Sequence, residues 1–302
     1  MFLGTGFIDM DWFEINITIE DQFIQEIVNV FLFELGVTGT VTEDKNDHWL
    51  IKGYLPSNIT LKQINKRIQI FLDKISFIFP SIKKPKYSIK RQTFKDNNWV
   101  NSWRKYFRPI HISKNLTIIP PWESTTSTNT THTIVIEPGP AFGTGYHPTT
   151  QLCLKAIEYL SPIDLSWNML DIGTGSGILS IYAALLGAKD ILAIDIDPIA
   201  LKWAKYNINL NNVSDKILLS SNPIQEISGN FYLITANLLF DEMIHIIPYI
   251  PSILNKWFII SGILQNQFQE IQKILNQYNF LIRYINKKED WISIICINKK
   301  SQ

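Results

Sequence analysis

The stretch from Met169 to Pro198, MLDIGTGSGILSIYAALLGAKDILAIDIDP, holds the first residues whose types and spacing could do chemistry. Asp171 closes an apolar strand, Gly173, Gly175 and Gly177 turn the chain sharply, and an apolar helix follows. A second apolar strand, Ile191 to Ile196, ends in acid. Glycine has no Cβ, so a loop of this kind lets backbone N–H groups press against a ligand, and a Cβ at Gly175 would stand where ligand and backbone must meet. Asp195 sits at the tip of the second strand, roughly twenty residues past the loop, where such folds aim a carboxylate at ribose hydroxyls. A dinucleotide fingerprint would need glycine or alanine at position 178, but Ile178 stands there and the third glycine is Gly177. That spacing disfavours an NAD-linked oxidoreductase. A bare strand–helix crossover would explain the glycines but not the acid, and the two together point to a nucleoside ligand.

A second candidate loop, PGPAFGTGYHPTT, precedes the first. Gly139, Gly143 and Gly145 permit close backbone approach, and Thr149 and Thr150 open a helix whose free N–H groups suit a carboxylate. His147 lacks a second histidine or carboxylate nearby in sequence and reads as a loop hydrogen-bond partner rather than a catalytic base. The GxGxG loop with its preceding acid resembles motif I of class I S-adenosylmethionine-dependent methyltransferases, and DID at 195–197 resembles their second motif. On that resemblance the carboxylate at Thr149–Thr150 is that of the methionine moiety. Phe142 would then cover the ligand with an aromatic face near the sulfonium, a favourable electrostatic contact.

These loops need a scaffold, and the whole chain bounds it. Its 302 residues suggest two domains, 46% hydrophobic content supports sizeable cores, and a net charge of +1 speaks against an electrostatic nucleic-acid binder. Cys153 and Cys296 lie in apolar contexts, so buried thiols are expected and a cysteine-based metal site is not. The first residues carry acid early and lack a basic n-region, unlike a secretory signal, and no apolar run reaches membrane-spanning length. The expected setting is cytoplasmic.

In the front half, alternation over residues 11–20 predicts a strand, and Asp21 is placed to cap a helix ending at Gly36. Two short strands over 37–42 and 49–54 follow, then a helix from Leu61 to about Phe79 ended by Pro80, then a strand over 86–93. This β-α-β-β-α-β order is the ferredoxin-like arrangement, an α+β unit expected over residues 1–94. Residues 95–130, with the aromatic and basic run around Trp99, Trp103, Tyr106 and Phe107 and the polar stretch at 124–133, are expected to connect the domains. Residues 131–302 alternate strand and helix: strands near 133–137, 216–220, 231–236 and 257–261, helices over 200–211, 240–254 and 266–277, and a closing antiparallel pair over 281–286 and 291–298. The expected architecture is α/β: a Rossmann-like, mostly parallel seven-stranded sheet with a terminal antiparallel hairpin.

AFGTGYHPTT, DIGTGSGILSI, DIDPIAL, ANLL and SGIL occur together, with WFEI, ELGVTG, WVNSWRKYFRPI and IIPPWE ahead of them. In this order they resemble the ribosomal protein L11 methyltransferases, the PrmA family, over nearly the whole chain. The resemblance implies S-adenosylmethionine as cofactor, contacted by Thr150, Gly173, Asp195 and Asn237, with Gly175 and Phe142 beside it. It implies ribosomal protein L11 as the protein substrate, recognised by the front domain, with methylation of lysine side chains or of the N-terminal amine. Thr174 stands where many members have cysteine, in a loop expected to use its backbone. Ser221-Asn222 stands where an acid often follows the third strand, which leaves the adenine contact open.

The chemistry implied is in-line displacement on a sulfonium by a neutral amine, so the protein mainly orients the reactants and excludes water. Deprotonating a free lysine at pH 7 costs about 4–5 kcal/mol, which desolvation in an apolar pocket lowers. Asn237 is the natural group to orient the amine, and no residue stands out as a dedicated base. Rival readings are a methyltransferase acting on another protein or on RNA, and a non-catalytic module with the same fold. ANLL lacks the Pro-Pro-Tyr of many amide and base methyltransferases, and the intact glycine loop with Asp195 speaks against a module that binds nothing.

Overall fold

The computed structural model describes residues 11–35, 37, 40–45, 47–56, 61–78, 83–93, 107–123, 129–138, 141–162 and 166–299. Two compact units divide the chain between Phe107 and Arg108.

The first unit contains β1 (Asp11–Ile19), α1 (Gln22–Glu34), β2 (Thr40–Asp44), β3 (Trp49–Pro56), α2 (Leu61–Ile78) and β4 (Lys86–Thr93). Its sheet has the order β2-β3-β1-β4 with every pair antiparallel, which is the split arrangement the element order implies. Period-two burial turns Phe13, Ile15, Ile17 and Ile19 of β1 toward the helices, where they meet Ile24, Val28 and Leu32 of α1 and Ile64, Ile68 and Leu72 of α2. Asp21 caps α1 as its position suggests, accepting from the Ile24 N–H at 3.1 Å. The expected stops at Gly36 and Pro80 lie outside the described residues.

The segment 95–130, expected to connect the domains, divides. Its aromatic run up to Tyr106 lies outside the described residues, whereas the chain from Arg108 onward folds with the second unit. There β5 (Ile110–His111) and β6 (Leu116–Ile119) join β7 (His132–Val135) in a small sheet. Glu158 fastens this sheet to the helix described next, accepting from Ser113 Oγ, Asn115 Nδ2 and Tyr182 Oη at 2.6, 2.8 and 2.7 Å.

The remaining elements are α3 (Pro148–Leu160), β8 (Trp167–Ile172), α4 (Ile178–Leu185), β9 (Ala188–Ile194), α5 (Pro198–Leu210), β10 (Ile217–Ser220), β11 (Phe231–Asn237), α6 (Phe240–Ile246), β12 (Leu254–Leu264), α7 (Phe268–Gln277), β13 (Phe280–Lys288) and β14 (Trp291–Asn298). The seven-stranded sheet runs β10-β9-β8-β11-β12-β14-β13. Only β14 opposes its neighbours in direction, being antiparallel to both β12 and β13. Alternation distributes the strands between two cores. Met169, Leu233, Ile259 and Ile295 pack with α3, α4 and α5, while Leu170, Ile234, Ile260 and Ile294 pack with α6 and α7.

One expected element is shorter than its apolar pattern. The helix read over 240–254 ends as an α-helix at Ile246 and continues as a 3-10 segment over Ile247–Ser252. Pro248 and Pro251 remove two N–H donors there, so the i to i−4 ladder cannot continue. Strand β12 in turn begins at Leu254, earlier than expected.

Candidate functional site

The parallel strands end on one edge of the sheet, and the residues singled out in the sequence lie along it. Ile194, Ile172 and Ala236 form one rung across β9, β8 and β11. The next residue on each strand is Asp195, Gly173 and Asn237, respectively. Neighbouring strands lie about 4.8 Å apart, so the three share a patch about 10 Å wide. The crevice past the carboxyl ends, where strand order reverses beside β8, is where open α/β sheets bind ligands.

The first glycine loop is held from below and from the side. Asp171 is fully buried, and its carboxylate accepts from Thr174 Oγ1, Ser180 Oγ and Thr235 Oγ1 at 2.7, 2.8 and 2.7 Å. Burial pushes its acid up against the pull of those three hydroxyls. Thr174 therefore uses its side chain as well as its backbone, a correction to the expectation that only the backbone mattered. The Gly173 and Thr174 N–H groups both donate to the Ile194 carbonyl. Asp195 is half-buried and takes the Gly175 N–H on Oδ2 at 2.9 Å and the Asp197 N–H on Oδ1 at 3.0 Å. Burial raises its pKa, and the two N–H groups oppose that rise.

Gly175 itself calls for a second correction. A Cβ there would meet the Phe142 carbonyl oxygen at 2.5 Å, and the residue sits at φ +55°. The second loop, lying against the first, is by itself enough to require glycine here. The loops are clasped through Ser176, whose N–H donates to the Phe142 carbonyl at 2.8 Å and whose Oγ donates to the Gly143 carbonyl at 2.6 Å. The sequence treated the loops as two separate features, and Ser176 drew no notice.

The second loop leads into α3 through His147, which is its N-cap, taking the Thr149 N–H on Nδ1. Burial drops the imidazole to about 4, so it is neutral near pH 7. Its ring sits edge-on to Phe142 and Trp291, with centroids 5.3 and 5.0 Å away. Thr150 is fully buried and its hydroxyl has no hydrogen-bond partner. The Ser261 hydroxyl reaches the Thr149 carbonyl at 3.4 Å, and Ser261 pairs in register with Asn237, so the start of α3 belongs to the same edge. Asn237 is half-buried at the end of β11. Beyond it Leu238 fills the space that glycine leaves twice: a Cβ at Gly173 would meet its Cδ2 at 2.4 Å, and one at Gly262 its carbonyl oxygen at 2.1 Å. This gives SGIL a physical reason that the sequence did not supply.

Two side chains contradict the habit of burying apolar groups. Ile196, next to Asp195, is 82% exposed, and Phe142 is 49% exposed. The edge thus presents apolar surface beside a carboxylate and a carboxamide, the mixture that a ligand with both a flat apolar part and polar groups would cover. At the third strand, Asn222 accepts from the Ser220 hydroxyl at 3.1 Å, and no acid stands in that pair.

Comparison with known proteins places the whole chain in one family. The family model described as ribosomal protein L11 methyltransferase (PrmA) matches residues 11–300. Proteins named ribosomal protein L11 methyltransferase from Bacillus pumilus and Bacillus subtilis are each 34% identical, over 95% of this chain and 99% of theirs. The crystal structure of ribosomal protein L11 methylase from Lactobacillus delbrueckii subsp. bulgaricus superposes with a TM-score of 0.59 at 34% identity, over 64% of this chain and all of that one.

Proposed function

We propose that this chain, which belongs to the ribosomal protein L11 methyltransferase family, transfers methyl groups from S-adenosylmethionine to amino groups of ribosomal protein L11, on lysine side chains or on the N-terminal amine. The observation that carries this reading is the shared rung that sets Gly173, Asp195 and Asn237 side by side at the mouth of two clasped glycine loops.

The residues fit the cofactor. Asp195 is held by two N–H groups in a pose that leaves lone pairs for a ribose diol. Ile196 offers the exposed apolar surface a nucleobase would cover. Thr150 carries a buried hydroxyl without a partner, an unmet need worth about 1–3 kcal/mol that a ligand carboxylate would meet at the helix start. Phe142 offers an aromatic face for the sulfonium end. When bound, S-adenosylmethionine supplies a methyl group already activated for displacement.

The chain's part is to orient and to dry. Asn237, whose carbonyl can accept from an incoming amine, fixes the approach at the end of β11. Phe142 and Leu239, apolar and about half exposed, would desolvate the ammonium once cofactor and substrate cover them, lowering the cost of deprotonation. His147 is neutral and committed to the α3 cap, so it holds the Phe142 and Trp291 rings instead of taking the proton. The first unit recognises the protein substrate. Such a substrate places the reaction in the cytoplasm. Among the described residues no helix is long and apolar enough to cross a membrane.

Incubating the full chain with S-adenosylmethionine and purified ribosomal protein L11, followed by mass spectrometry of the target, tests the reading. Methylation on lysine or amino-terminal nitrogen is expected. Methyl label on ribosomal RNA, or on neither, would refute it.

A further inference from the structure

The geometry points to Asn207 as a positioning residue for the proposed transfer, one that sets the spacing of the two glycine loops. It belongs to neither loop. It lies on α5 between Ala204 and Ile208, fully buried in an otherwise apolar stripe. A carboxamide in such a place is costly unless both its ends are bonded, and here they are bonded to different elements. Nδ2 donates to the Ser176 carbonyl at 3.0 Å, and Oδ1 accepts from the Glu137 N–H at 3.0 Å. The backbone N–H of Glu137 can only donate, which fixes the orientation of the amide. Ser176 is the residue that clasps the second loop, through Phe142 and Gly143. Glu137 ends the stretch after β7 from which that same loop departs. The second loop is therefore held at its entry and again at Phe142 and Gly143, and among the described residues Asn207 is the side chain that bonds to both tethers.

Asn211, one helical turn further, supplies a natural contrast. Its amide accepts from the Val135 N–H at 2.8 Å and donates to the Val135 carbonyl at 2.7 Å, in the manner of a neighbouring strand, and it donates as well to the backbone carbonyl of Asn207 at 2.7 Å. It anchors β7 yet touches neither glycine loop. The pair thus separates two roles that a single substitution would confuse: holding the fold together, and holding the loops at the spacing a ligand needs.

This inference rests on the reading of the loops as a cradle for S-adenosylmethionine. The test uses the full chain. Asn207→Asp, measured at a pH where its carboxylate is ionised, keeps the acceptor for Glu137 and loses the donor to Ser176. Calorimetry is expected to show a cofactor Kd raised about tenfold, the scale of one buried hydrogen bond. KM for the cofactor should rise alike, with kcat at saturating cofactor within about twofold, so that excess cofactor restores the rate. Asn211→Ala should lower the unfolding temperature while leaving the cofactor Kd within about twofold. If Asn207→Asp does not fold, Asn207→Ala is read by the same measurements. A cofactor Kd unchanged in the Asn207 variant, or raised no more than in Asn211→Ala, overturns the inference. A wild-type chain that binds no cofactor overturns the parent reading, and this one with it.

Discussion

Both units of the chain lay helices on a twisted sheet, yet they use their backbones differently. In the first unit every strand opposes its neighbours, so the carboxyl ends of β1 to β4 alternate between two edges. Its second sheet face carries Glu14, Asn16 and Thr18 beside Tyr54, Lys52 and Leu50, all half-buried. In the second unit β8, β9, β11 and β12 run in parallel, so their loops converge on one edge. An antiparallel sheet offers faces; a parallel one collects loop N–H groups, helix starts and strand-end side chains into one crevice. The contrast fits the proposed division of recognition from chemistry between the two units.

The largest expected effect breaks the second unit alone. Gly175→Val places a branched side chain at φ +55° with its Cβ 2.5 Å from the Phe142 carbonyl oxygen. The loops must separate, and methyl transfer should fall by about a thousandfold or more, beyond the roughly 10²-fold loss that a 1 Å misplacement brings. Hydrogen exchange in residues 11–93 should be unchanged. Near-normal turnover would remove the clasped loops from the site.

Separating the units sharpens the comparison from the other side. A fragment beginning at Phe107 keeps β5 to β14 and the Arg108 N–H bond to Tyr146 Oη. Once circular dichroism shows it folded, it should bind S-adenosylmethionine with nearly the full-length Kd but methylate intact L11 at least about a hundredfold more slowly, since remote binding energy is lost. Efficient methylation by a folded fragment would return the first unit to a supporting role.

A smaller effect probes the edge itself. Asp195→Ala removes the acceptor for two N–H groups as well as the proposed ribose contact. Charge-assisted bonds of about 1.5–3 kcal/mol correspond to a cofactor Kd raised roughly ten- to a hundredfold. An unchanged dissociation constant in calorimetry would show that the cofactor sits elsewhere.

The mildest expectation concerns pH. His147 is held near 4 in the fold by burial, below the 6.5 of an ordinary imidazole, so the unfolded chain binds the extra proton first. The stability this represents is fully present above pH 6.5 and is lost as pH falls toward 4, by about 3 kcal/mol in all. His147→Asn keeps a competent cap. It should flatten the stability curve between those values and leave stability at pH 7.5 within about 1 kcal/mol. Denaturant unfolding at several pH values reads this directly, and an unaltered slope would mean the imidazole titrates normally.

Much of the candidate site was legible because its signals are local. Gly173, Gly175 and Gly177 all take positive φ, as a loop of that spacing must, and Asp195 sits at a strand tip that alternation and the following Asp197-Pro198 cap define. The ferredoxin-like order of the first unit and the closing antiparallel pair followed from periodicity and turns in the same way. Where proline interrupted an apolar run, at Pro248 and Pro251, periodicity overstated a helix. Within segment 95–130 the chain from Arg108 on belongs with the second unit, where β6 pairs with β7 across a polar stretch, a partnership that no short window of sequence shows.

By itself, then, the sequence determined the backbone vocabulary: which residues turn, which alternate, and where an acid ends a strand, since each depends on φ, side-chain branching or period within a few residues. Only the tertiary structure decided the partnerships. That Gly175 is needed for Phe142, Gly262 for Leu238, Ser180 and Thr235 for Asp171, and Asn207 for Ser176 and Glu137 depends on contacts between residues 9 to 70 positions apart. The physical reason is that a buried polar group or a missing Cβ is explained by whatever fills or bonds it, and no short window of sequence contains that neighbour.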